Sequence, residues 1–231
     1  VYKRQARVVA GNNQGKVRIW NTADGTVIGE LAVHTGAVSG VALHPDGKRL
    51  VTAGADGNCK VWALPLPKLG AADKKDKKKK DEPIKPLVMV AAHPGGVTSL
   101  VLSTDGNQIL PGGADKQVKL LAITGQAVRT YSGHANPVRA GALTKDRVIA
   151  GGDDKTIHLW DLGKREKIAH IENDRIIRKL ARISDTVMAS GNADNTVKLW
   201  NVSTAEDLKW SKRARQLQVL SGHTGEVVSV C

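Results

Sequence analysis

One motif returns five times along the chain. GADGNCKVW ends at Trp62, GADKQVKLL at Leu121, GDDKTIHLW at Trp160 and NADNTVKLW at Trp200, and a weaker NNQGKVRIW ends at Trp20. The anchors are 42, 59, 39 and 40 residues apart, so three spacings lie near 40 and the fourth carries an insertion. That period is the one expected of a four-stranded propeller blade. With 231 residues and 41% hydrophobic content, the chain can bury a sizeable core.

Each unit has an Asp-containing turn followed by strict alternation. Val17, Cys59, Val118, Ile157 and Val197 stand three before the anchor, and Ile19, Val61, Leu120, Leu159 and Leu199 stand one before it. Arg18, Lys60, Lys119, His158 and Lys198 lie between them. Period two with β-branched residues predicts a strand. KRLVTAG, NQILPGG, DRVIAGG and DTVMASG read as the preceding strand, which makes GADG, GADK, GDDK and NADN hairpin turns. Pro111 falls inside one of these strands and removes a ladder donor, so a distorted strand is expected there.

A second element precedes each pair of strands: HTGAVSGVALHPDG from His34, HPGGVTSLVLSTDG from His93, HANPVRAGALTKD from His134 and HTGEVVSV from His223, with Asn173 at this position in the remaining unit. Gly-His occurs at Gly133–His134 and Gly222–His223, and Trp-Asp at Trp160–Asp161. On these motifs, five times in phase over nearly the whole chain, the sequence resembles the WD40-repeat family. The resemblance implies an all-β propeller of four-stranded antiparallel blades spanning 1–231, with five repeats' worth present. It is either part of a seven-bladed ring or a closed five-bladed one. In the closed ring, the stretch around Val227–Cys231 would join the N-terminal strands and remove an exposed edge.

The resemblance also implies a buried hydrogen-bond set of His, Ser or Thr, Asp and Trp. It is complete once, as His34, Thr52, Asp56 and Trp62. Elsewhere it is partial: His93 and Asp115 with Pro111 and Leu121; His134, Asp154 and Trp160 with Ala150; Ser190, Asp194 and Trp200 with Asn173; His223 and Trp20 with Ala10 and Gln14. The chemistry behind the set is satisfaction of buried polar groups.

Two insertions interrupt the period. One, over 64–86, is lysine-rich, proline-flanked and expected to be disordered; a second basic one covers 206–215. Both are expected between the third and fourth strands of their blades, on the face opposite the His and Asp turns. Lys74, Lys75, Lys77, Lys78, Lys79, Lys80, Lys212, Arg213 and Arg215 are candidates for contact with an acidic partner or polyanion. The net charge of +13 favours such contacts at low salt.

Catalytic signatures are missing. The chain contains no HExxH, P-loop, CxxC or GxSxG pattern. His34, His93, His134 and His223 stand about one blade apart and would not converge on one ion, so neither a metal nor another cofactor is expected from them. Cys59 reads as a small buried hydrophobe. No apolar run approaches the ~18 residues of a membrane-crossing helix, and no segment names a compartment. The expected function is a non-catalytic protein–protein interaction scaffold, not an enzyme. The alternatives are a propeller domain of a larger enzyme, or tethering of polyanion or nucleic acid through the basic loops. Candidate contacts for other proteins or peptides flank the first strand of each blade: Ser39, Thr98, Arg139, Arg178 and Glu226, with a solvent-facing Asp153 in a neighbouring turn.

Overall fold

The computed structural model describes residues 7–66, 84–164, 166–203 and 216–230. Strands β1 (Arg7–Gly11), β2 (Lys16–Asn21) and β3 (Val27–Ala32) form a three-stranded sheet. Four four-stranded sheets follow. The second holds β4 (Val38–Leu43), β5 (Arg49–Gly54), β6 (Asn58–Ala63) and β7 (Val88–Ala91). The third holds β8 (Val97–Leu102), β9 (Gln108–Gly113), β10 (Val118–Ala122) and β11 (Ala127–Tyr131). The fourth holds β12 (Val138–Leu143), β13 (Arg147–Gly152), β14 (Thr156–Asp161) and β15 (Lys167–Glu172). The fifth holds β16 (Ile177–Arg182), β17 (Val187–Asn192), β18 (Val197–Asn201) and β19 (Gln216–Leu220). Every pairing is antiparallel between sequence neighbours, so each sheet is a simple meander. No helix occurs among the described residues.

Alternation along the strands gives each sheet two apolar faces, and the sheets stack on them. Val17 and Ile19 of the first sheet pack with Leu50 and Trp62 of the second. Val51, Ala53, Cys59 and Val61 pack with Ile109 and Leu121 of the third. Leu110, Val118 and Leu120 then meet Val148 and Trp160, and Ile149, Ile157 and Leu159 meet Met188 and Trp200. Trp62, Leu121, Trp160 and Trp200 therefore each plug the interface with the blade before their own. The first strands of successive sheets adjoin in chain order: β1 with β4, β4 with β8, β8 with β12 and β12 with β16.

No comparable packing joins the fifth sheet to the first among the described residues. Residues 221–230 form no strand there. Val227 donates its N–H to Asn192 O at 3.1 Å, just as Val38 donates to Asn12 O at 2.9 Å. The segment therefore begins, against the fifth sheet, what the start of β4 does against the first. Both the closed ring, in which Val227–Cys231 joins the N-terminal strands, and the larger ring stay open; residues 1–6 and Cys231 lie outside the described residues.

Two local expectations meet the structure differently. The turn residue in left-handed conformation is Gly15, Gly57 or Asn195 in three blades, but Lys116 and Lys155 adopt φ of 69° and 64° in the other two. There a side chain accepts the strain that glycine avoids. Pro111 leaves β9 a strand, while the β9–β10 register skips the positions opposite it, between Val118↔Gly112 and Leu121↔Ile109. The chain between β6 and β7, and that between β18 and β19, carries the two insertions, each between third and fourth strands.

Candidate functional site

The first strand of every four-stranded sheet begins with a register shift. It falls between Val38 and Gly40, Val97 and Ser99, Val138 and Ala140, and Ile177 and Lys179. The residue passed over is Ser39, Thr98, Arg139 or Arg178. A bulge withdraws one residue from the ladder and re-aims its side chain. Four of the expected contact positions are thus brought to one structural equivalence.

Their surroundings differ by blade. Ser39 is exposed. Thr98 is half-buried, its hydroxyl 2.8 Å from Gly112 O and also against Val138 O of the next blade. Arg139 grips Asp153 with Nε at 2.9 Å and Nη2 at 2.6 Å, and these bonds raise the arginine pKa. Arg178 lies 3.9 Å from the same carboxylate and pairs with Glu226 at 3.0 and 3.2 Å. Arg139, Asp153, Arg178 and Glu226 thus form an alternating row across two blade junctions. Asp153 is not the solvent-facing residue expected: with 19% of its side chain exposed, it is the node of that row.

Beneath the bulges lie the polar corners. In the second blade, Trp62 Nε1 donates to Thr52 Oγ1 at 3.0 Å, and the hydroxyl lies 2.9 Å from His34 Nε2. His34 Nδ1 lies 2.9 Å from Asp56. A carboxylate only accepts, so Nδ1 carries the proton and every member is satisfied with a neutral ring. Burial pushes the His34 pKa down, against the pull of Asp56. For Asp56, burial acts upward, but hydrogen bonds from Asn58 and His34 hold the carboxyl below its ordinary range.

The other corners are variations. His93 holds Asp115 at 2.8 Å, and its Nε2 meets Pro111 O at 3.2 Å in place of a hydroxyl. In the fifth blade, Trp200 donates to Ser190 Oγ at 2.8 Å, which donates to Asn192 Oδ1 at 3.1 Å; Asn173 also donates to Asn192 Oδ1, at 2.9 Å. Asn192 was not among the expected residues, although a sequence signal existed. It takes the place of Gly54 and Gly113, where a Cβ would lie 2.5 and 2.3 Å from the ring of His34 or His93. With Asn173 replacing histidine, the space admits a side chain. Asp194 turns instead to Thr196 and Lys198. His223 is exposed, contrary to its expected place in the first corner; there Ala10, Gln14, Arg18, Trp20 and Glu30 line an open cleft.

The third-strand cations, read from sequence only as alternating polar residues, also serve these corners. Lys60 Nζ caps Val33 O at 2.6 Å, Lys119 caps Ala92 O at 2.5 Å, and Lys198 reaches Asn173 Oδ1 at 2.8 Å. His158 holds this position in the fourth blade. His134 Nδ1 keeps Asp154 at 2.8 Å, but Ala150 offers no hydroxyl, so His134 Nε2 is buried without a partner. The His158 ring lies 4.2 Å from that of His134, and its Nδ1 is likewise buried and unpartnered. Burial, with the charges of His134 and Lys167, pushes the His158 pKa down to about 3. The basic candidates Lys74, Lys75, Lys77–Lys80, Lys212, Arg213 and Arg215 lie outside the described residues.

Comparison with known proteins agrees with this architecture. The family model described as "WD domain, G-beta repeat" matches residues 25–63, 84–120, 125–161 and 170–201, more than half of the chain. The human serine-threonine kinase receptor-associated protein is 29% identical over 157 residues, covering 67% of this chain and 40% of that protein. The human angio-associated migratory cell protein is 25% identical over 248 residues, covering 98% and 51%. The chain thus spans about half the length of these relatives or less. A chain in a crystal structure of the mitotic checkpoint complex superposes with a TM-score of 0.79 at 17% identity, over 96% of this chain and 66% of that one.

Proposed function

Because this chain belongs to the WD domain, G-beta repeat family, we propose that it works as a non-catalytic scaffold that binds other proteins or peptides through its bulge-bearing face. The observation that carries this reading is the equivalence of Ser39, Thr98, Arg139 and Arg178. The blade repeats the same register shift at each of them, yet the residue differs from hydroxyl to guanidinium. Arginines in bidentate pairs with Asp153 and Glu226 are suited to exchange those carboxylates for a partner's. The name of one relative, a receptor-associated protein, supports association with another protein as the class of activity.

The test is an Arg139→Ala/Arg178→Ala double variant in affinity capture with quantified partners. Half-exposed ion pairs contribute about 0–1 kcal/mol each, so melting should fall only slightly. Recovery of at least one parent-bound partner should fall tenfold or more. The same partners in the same amounts would overturn the assignment. A second reading rests on the net charge of +13: the lysine-rich stretch around Lys74–Lys80 adds a salt-sensitive attraction for an acidic partner or polyanion.

A further inference from the structure

In the fourth-blade corner a third buried side chain, His158, joins the His134–Asp154 pair of the blade architecture, and the scaffold reading does not use it. From their geometry we infer that His134, Asp154 and His158 form a binding site for a borderline divalent transition-metal ion, with Zn2+ as the representative.

Three donors converge from three elements. His134 comes from the loop before β12, Asp154 from the β13–β14 turn and His158 from β14. One ligand atom from each lies within 4.8 Å of the others. Zinc bonds of ~2.0–2.2 Å in a tetrahedron place donors roughly 3.4 Å apart. The site therefore closes by small ring rotations, starting from rings already tilted 33° to each other. The ion takes the place of the proton between His134 Nδ1 and Asp154.

A second observation is independent of that spacing. His158 is 3% exposed, and its Nδ1 is buried without a partner, in a ring 4.2 Å from that of His134. Such a nitrogen is costly inside a blade. In the second blade the equivalent Lys60 ammonium is satisfied by a carbonyl. Replacing that cation by an imidazole sets an unpartnered nitrogen donor beside the His134–Asp154 pair. Two imidazoles and one carboxylate suit Zn2+, Co2+, Ni2+ or Cu2+ better than Mg2+ or Ca2+.

The exposed Gly133 lies over this edge of the ring, and a Cβ there would stand 3.2 Å from His158 Nδ1. The absence of that side chain leaves a thin cover of backbone, which must give way for a water or an incoming donor to complete the fourth position. The charge of Lys167 opposes an ion, and its exposed position on β15 lets the ammonium swing outward.

The test uses the purified chain, stripped with EDTA and titrated with Co2+ and Zn2+. Co2+ should produce visible d–d bands at one equivalent, which Zn2+ bleaches, and saturating Zn2+ should raise the melting temperature. His158→Lys restores the residue type of the second, third and fifth blades and should fold. It should lose the bands and weaken Zn2+ binding by more than the 10–100-fold that loss of an outer-shell partner costs. Should that variant not fold, Asp154→Asn, which keeps the shape of the turn, carries the same comparison. A parent with neither bands nor a thermal shift overturns the proposal. So does a folded variant that binds like the parent, because the metal would then sit elsewhere.

Discussion

Ala150 shows what one missing hydroxyl does to a buried corner. Its neighbour His134 keeps Asp154 but leaves Nε2 unsatisfied, whereas Thr52 closes the equivalent chain between His34 and Trp62. Ala150→Ser should therefore stabilise the chain by about 0.5–1.5 kcal/mol, read as a urea midpoint in the presence of EDTA. A lower midpoint would show that the pocket beside Trp160 has no room for the oxygen. Acidity acts on the same kind of group. Burial lowers the pKa of His34 and His93 in the folded chain, against an unfolded value of ~6.5. The unfolded state takes up protons first as pH falls. This part of the stability is complete above about pH 6.5 and is lost as pH drops through the folded values. The urea midpoint should be lower at pH 5.5 than at pH 7.5, and equal midpoints would mean that the fold takes up as many protons as the unfolded chain, so that burial does not depress these rings.

At the scale of the element, the fifth blade solves the corner with a matched pair. Asn173→His should destabilise, because the imidazole meets the side chain of Asn192. Asn192→Gly alone should also destabilise, by removing the acceptor shared by Asn173 and Ser190. Together they recreate the chain of the second blade with Ser190, Asp194 and Trp200, and a coupling of about 1 kcal/mol or more is expected from residues in direct contact. Thermal melts of the four proteins measure it, and simple additivity would refute the pairing. The strands and hairpins were legible in the sequence because the anchors at Trp62, Trp160 and Trp200 sit in an alternation that physics enforces on any half-buried strand. The bulges were not, since a register shift depends on a partner strand that local sequence does not show. Asp153 was misread for the same reason: it looks like a surface turn residue until Arg139 is brought across from β12. Arg147 is another such case, a buried cation that donates to Asp185 O and Val202 O of the fifth sheet's loops at 3.0 and 2.7 Å.

On the scale of the whole molecule, the chain is strongly basic. Thirty-five basic against 22 acidic residues leave the chain at +13, and the run Lys74–Lys80 alone holds six lysines and one aspartate between β6 and β7. Deleting it should leave the melting curve nearly unchanged, because none of the described ladder residues is removed and loop-closure entropy changes slowly with length. Binding to heparin should weaken and its dependence on salt should flatten, since fewer counterions are released. Identical slopes for parent and deletion would assign the run to solubility alone. The bulges carry a different consequence, one for variation. A residue that a register shift has lifted out of the ladder is judged by neither strand pairing nor core packing. Ser39, Thr98, Arg139 and Arg178 can therefore drift one at a time while Val38, Val97, Val138 and Ile177 beside them stay constrained. A propeller built this way can acquire a new binding preference by substitutions that its folding barely registers.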